Sequence, residues 1–398
     1  MKKGYVWPSE NAQFRDSISD VVVRQLTDFM AHSFHLYFTN PGWYDDGKKL
    51  LLGSDRGNGS NLYSYHFDTE QLTQITEFTR KDQVVIQGTF LNPIKAEAYL
   101  IVNKNMIAID LTNFSETKLY TLPNGFKFGN VSCLADGKKL IFSLTEDLSS
   151  SINSNLGSGY VGFEETEAAR PLSQICLLDL ATGLVEIVHE EQRWIGHVNA
   201  SPRQAEMITF CHEGPWDKVD HRIWGMNLKT KKVWPIREGA ANEFAGHEYW
   251  HADGIHIGYH GFTETLDQKD GKFLGFVQYD NKGQEEYDFP YQNMHIHSNS
   301  KELIIGDGQQ ASAYHGETYK DCIYLWRKTE GGMEGPRVLC KHRGSFHSQK
   351  VHVHACFNPD STKVLFTSDM SGYANVYLVD VPAFDTLPKL EELLNKSY

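Results

Sequence analysis

A turn followed by a short apolar strand recurs seven times along the 398 residues, and a repeat constrains a fold more than any single residue does. The turns are Asp45-Asp46-Gly47, Asn92-Pro93, Ala135-Asp136-Gly137, Ser201-Pro202, Ala252-Asp253-Gly254, Ser298-Asn299-Ser300 and Asn358-Pro359-Asp360. Each leads into a run such as Leu50-Leu-Leu52, Ala98-Tyr-Leu-Ile-Val102 or Val364-Leu-Phe-Thr367. Successive turns are 47, 43, 66, 51, 46 and 60 residues apart, so the long intervals read as one unit plus a loop insertion. A second strand follows, closed by Asp or Asn and another turn, as in Asn61–Asp68 and Asn375–Asp380. Strands this short, with a turn every 8–12 residues or so, describe a propeller blade rather than a βαβ unit. The expectation is an all-β, seven-bladed β-propeller spanning 1–398 as one domain; two stacked β domains are the alternative.

The two ends predict how the ring closes. The seventh repeat has no clear fourth strand, whereas Val21-Val-Val-Arg-Gln-Leu-Thr27 reads as a strand with no blade of its own. A strand over about residues 20–28 is therefore expected to complete blade seven and remove two open sheet edges. In the tail 383–398, Leu387–Leu394 reads as a short amphipathic helix.

Composition excludes some partners. With 38 Lys plus Arg against 51 Asp plus Glu, the formal charge is −13, which argues against nucleic acid or anionic membrane as partners. No apolar run reaches the roughly 20 residues that span a bilayer. Two lysines near the start have no apolar run behind them, and the six cysteines show no CxxC spacing. The expectation is a cytoplasmic protein with reduced cysteines. Oligomeric state is not legible.

Histidine placement is the most informative chemical feature. Of 18 histidines, 14 follow residue 190. His197, His247, His295, His297, His352 and His354 precede their blade turns by two to seven residues, where a propeller places its innermost strand. In His352-Val-His354 the spacing of two puts both imidazoles on one face of a strand. His295 from the preceding blade supplies a third nitrogen, and Gln349 an oxygen. Such a set suits Mn, Zn, Fe or Ni better than calcium. A second group lies in Phe210–Trp224, where His212, Glu213, Asp217, Asp220 and Arg222 flank a Gly-Pro turn. Arg222 is a fork-shaped donor suited to a carboxylate, and His247 is a candidate base. Asp55–Asn61 reads as a hairpin loop, and Gly306-Asp-Gly308 as a blade turn. There is no G-x-S-x-G elbow and no HExxH, which counts against serine hydrolases and zincins.

Phe210-Cys-His-Glu-Gly-Pro-x-Asp-x-Val-Asp-x-Arg-x-Trp224, Gly246-His-Glu-Tyr-Trp250, His295-x-x-Ser-Asn299, Gly306-Asp-Gly308, Gln349-x-x-His-x-His354 and Leu365-Phe-Thr-Ser-Asp369 resemble, in order and spacing, the oligogalacturonate lyases. The resemblance covers nearly the whole chain, most specifically 195–382. It implies a seven-bladed propeller holding Mn²⁺ that cleaves short pectic oligosaccharides by β-elimination to 4,5-unsaturated uronates. Carried over, the metal ligands are His295, Gln349, His352 and His354, the base is His247, and the arginine for the substrate carboxylate is Arg222. His197 and His212 become substrate contacts. The chain departs from the family in Lys350-Val351 between the Gln and the first His, in His297 where Met is usual, and in the Leu148–Pro171 insertion. Those departures leave open another uronate oligosaccharide as substrate. A metal-dependent glycan hydrolase and a non-catalytic glycan-binding propeller would also be compatible with this scaffold.

Overall fold

The computed structural model describes residues 2–155, 160–215, 218–219, 221–239, 242–265, 268–289, 293–309 and 319–395. Seven antiparallel sheets follow one another along the chain, and the fold is the expected seven-bladed β-propeller. The Asp-Gly turns work through their side chains and backbone signs. Gly47, Gly137 and Gly254 take φ of 77°, 67° and 66°, where a Cβ is penalised. Asp253 Oδ1 accepts the N–H groups of Ile255 and His256 at 2.8 and 3.0 Å, so the turn satisfies its own backbone donors.

The chain divides into two compact units. Unit one, Met1–Gln87 with Tyr291–Tyr398, holds blades one, six and seven. Its core gathers Val23, Ile305, Leu325, Val353, Phe366 and Tyr377, all essentially inaccessible. Burial of side chains of this size contributes about 1.5–3 kcal/mol each. Unit two, Gly88–Pro290, holds blades two to five, with Ile175, Val198, Ile208 and Phe210 in one of its cores. All six cysteines are free and buried.

Closure of blade seven is as expected. Val22–Gln25 pairs with Asn375–Asp380 in the register Val23↔Val379, Arg24↔Leu378 and Gln25↔Tyr377. A further strand not read from the sequence, Ala12–Arg15, lies outside it and is exposed throughout. The tail differs from expectation: the helix is Leu390–Leu394 only. Pro388 cannot donate to a helical ladder, and its carbonyl instead accepts the Val338 N–H at 2.9 Å on the outer strand of blade six. A helix the sequence reading missed, Phe163–Ala168, lies in the blade-three insertion. No helix among the described residues is long and apolar enough to cross a membrane.

Candidate functional site

Unit one brings three imidazoles together. His295, His352 and His354 each offer a ring nitrogen, and these nitrogens lie within 4.8 Å of one another. The route to this cluster differs from the expected strand face. Residues 352–355 lie outside any strand, between a one-turn helix Gln349–Val351 and the two-residue strand Cys356–Phe357. His352 is extended at φ −64°, whereas His354 takes φ 44°, and that change of hand lets both rings turn to His295. Their ring centroids are 5.3 Å apart, and those of His295 and His354 4.3 Å.

Other side chains hold these rings. Asp307, wholly buried, accepts the His295 N–H at Oδ1 and bonds His295 Nδ1 at Oδ2, both at 2.7 Å. A carboxylate only accepts, so the proton sits on Nδ1 and the lone pair on Nε2. His35 Nε2 donates to the His354 carbonyl at 2.9 Å, and its Nδ1 takes the Thr367 hydroxyl at 2.6 Å, which fixes the left-handed turn from behind. Burial, then the neighbouring His295, push the His352 pKa down to about 4. His352 is therefore neutral at pH 7, and its buried Nδ1 meets no hydrogen-bond partner among the described residues. Lone pairs on neutral imidazoles are the donor chemistry of a borderline divalent ion, so the residues fit such a metal.

Gln349 is exposed, and its backbone carbonyl accepts the Gln87 side-chain amide at 2.9 Å; the three-nitrogen cluster forms without it. His297 is turned elsewhere: its Nδ1 accepts the Phe357 N–H at 3.2 Å, and burial lowers its pKa to about 4. Replacing Asp307 with Asn is expected to weaken metal binding about 10–100-fold, because the Nδ1 proton and ring orientation lose their anchor. Competition against a chelator dye measures it.

Unit two assembles a largely buried polar quartet around Arg222. Arg222 donates from Nη1 to Glu213 at 3.0 Å, and its Nε lies 3.7 Å from Glu248. His197 stands between the same two carboxylates, 3.5 Å from Glu213 and 3.9 Å from Glu248. All four are largely buried, Glu248 completely. Burial alone would raise the Glu213 pKa, yet the Arg222 charge and then His197 bring it to about 2. Arg222 is correspondingly held cationic. His212 bonds Glu191 at 2.8 Å and lies 4.8 Å from the Trp224 ring. Glu191 also ends at about 2, the hydrogen bonds from His189 and His212 outweighing its burial. Of the acidic groups read from the sequence here, Asp217 and Asp220 lie outside the described residues.

These two depressed carboxyls set an acid limit. Their ordinary value is 4.5, so the stability they contribute is complete above pH 4.5 and is lost as pH falls towards 2. Denaturant melts across that window are expected to show the loss. In Glu213→Gln, stability at pH 7 is lower but its dependence on pH is shallower.

His247 sits in a bulge. The register of Glu243–Trp250 with His256–Thr265 shifts between Gly246 and Tyr249, and His247 takes φ 52°. His197 lies at a similar shift between Gly196 and Asn199, at φ 47°. Bulges re-aim side chains, and here each one carries a candidate histidine. His247 Nδ1 meets His260 Nε2 at 2.8 Å. The insertion helix packs against the turn after Glu213: a Cβ at Gly214, φ 146°, would fall 2.6 Å from Glu167 Cγ, so only glycine fits. Sequence reasoning missed Asp307, Glu248, His260 and the role of His35. Asp307 and Glu248 lay within motifs already singled out, whereas His260 carried no spacing signal.

Seven antiparallel blades with buried clusters of histidine and paired carboxylate define a β-propeller of the enzyme-bearing kind. The family model described as oligogalacturonate lyase matches residues 1–384. The chain belongs to the oligogalacturonate lyase family. It is 27% identical to an oligogalacturonide lyase of Pectobacterium atrosepticum, over 96% of this chain and 99% of that one. It is also 27% identical to an oligogalacturonate lyase of Dickeya dadantii, over 93% and 95%. A crystal structure of an oligogalacturonate lyase from Vibrio parahaemolyticus superimposes with TM-score 0.85 at 28% identity, covering 96% of this chain and 99% of that one. A structure of an oligogalacturonate lyase in complex with manganese gives 0.85 at 25% identity with the same coverage.

Proposed function

We propose that this protein cleaves short oligogalacturonides by metal-assisted β-elimination, with Mn²⁺ as its metal. The observation that carries the reading is the cluster of three imidazole nitrogens, backed by Asp307, in a chain of this family. In the reaction the C5–H bond of a uronate breaks to a base, and its electron pair becomes the C4–C5 double bond. The C4–O bond breaks in turn, and the departing oxygen takes up a proton. No water is consumed. The obstacle is the weak acidity of C5–H beside an anionic carboxylate, so charge on that carboxylate must be neutralised as it develops.

His295, His352 and His354 would hold the metal, with Gln349 as an oxygen ligand. Bound there, the metal supplies Lewis-acid neutralisation of the carboxylate. Arg222 presents its fork to a substrate carboxylate, while Glu213 and Glu248 keep it charged and oriented. His247 takes the C5 proton as general base. His197 and His212 contact the sugar. We read residues 1–398 as one domain acting in the cytoplasm, on a substrate that is an acidic oligosaccharide. Mass spectrometry of the products tests the reaction class: elimination leaves the summed mass of the fragments equal to that of the substrate. A gain of one water per cleavage would instead mean hydrolysis.

A further inference from the structure

A histidine base needs a defined tautomer, because only the nitrogen without a proton can accept one. For His247 the local fold supplies a partner that sets it. His260 lies on the strand paired with that of His247, directly opposite Gly246. Gly246 has no side chain to cover the His260 ring. The bulge that follows, with His247 at φ 52°, swings the His247 ring into that space. The rings stack at 24° with centroids 5.0 Å apart, and Nδ1 of His247 is 2.8 Å from Nε2 of His260.

We propose that His260 is a positioning residue for the base: its Nε2 accepts the Nδ1–H of His247, which leaves the lone pair of His247 on Nε2. The left-handed backbone at His247 is the structural cost of this contact, and such strain is found where geometry serves function. Once His247 Nε2 has taken the substrate proton, the Nδ1–H bond to His260 stabilises the imidazolium, the part a carboxylate plays in a Ser-His-Asp triad. The inference rests on the reading of His247 as the base.

Three variants and one spectrum test it. His260→Leu removes the acceptor and is expected to lower kcat about 100-fold, with KM changed by less than about twofold. His260→Gln keeps an acceptor oxygen near the position of Nε2 and is expected to retain kcat within about fivefold. In protein labelled with ¹⁵N-histidine, the His247 signals, assigned by their loss in His247→Ala, should show Nδ1 protonated and Nε2 bare at neutral pH. A wild-type kcat in His260→Leu, or a proton on His247 Nε2, would overturn the proposal. Full activity in His247→Ala would remove the base assignment itself, and the spectrum would still report which ring of the pair donates.

Discussion

His352→Ala is expected to lose its metal and to fall about 1,000-fold in kcat, the ratio that corresponds to roughly 4 kcal/mol of transition-state stabilisation. The position suits the test because it separates chemistry from folding. His352 is only half-buried and its backbone is extended at φ −64°, which alanine adopts freely. His354 is a poorer choice: it is wholly buried, so an alanine there also leaves a cavity and confounds folding with chemistry. Elemental analysis of the purified variant, together with its kcat, reads the outcome. A variant with one metal per chain and near-normal turnover would mean that the imidazole cluster is not the metal site.

The second large effect concerns Arg222. Arg222→Met leaves Glu213 and Glu248 buried without their cation, a loss expected to cost about 3–5 kcal/mol of stability along with activity. Arg222→Lys keeps the charge but not the planar fork. It should melt close to the wild type while losing about 100-fold in kcat/KM, the effect of removing a directed donor at the developing charge. Urea melts and initial rates on both variants separate the structural contribution from the catalytic one. An Arg222→Met protein as stable as the wild type would show that the quartet is not a buried ion cluster.

Much of this was legible in the sequence, for a physical reason. Propeller blades are local: each turn and strand lies close in sequence to its partner, so Asp-Gly turns and apolar runs repeat visibly. Even the closure of blade seven appeared as a missing strand at one end and a spare one, Val21–Thr27, at the other. The imidazole cluster was legible because His295 and the His352-Val-His354 pair fall just before the turns of neighbouring blades. Its geometry was not: the two rings converge through a left-handed turn at His354 rather than along a strand face. What stayed hidden depends on register. The meeting of His260 with His247 follows from a one-residue bulge, which moves side chains between faces without leaving a spacing signature. Asp307 was visible as a residue of a blade turn, but its bond to His295 spans two strands and could only be seen once they were paired. The Phe163–Ala168 helix is too short for periodicity to reveal.

Metal-dependent elimination can be followed in a single time course. Short galacturonate oligomers are added to metal-loaded protein, and the ultraviolet absorbance of the conjugated double bond and carboxylate is followed. A chelator is then introduced, followed by Mn²⁺ in excess. The expected trace is a steady rise that stops on chelation and resumes with Mn²⁺. A rise that continues unchanged in metal-free protein, or fragments that accumulate with no absorbance, would rule out metal-dependent elimination.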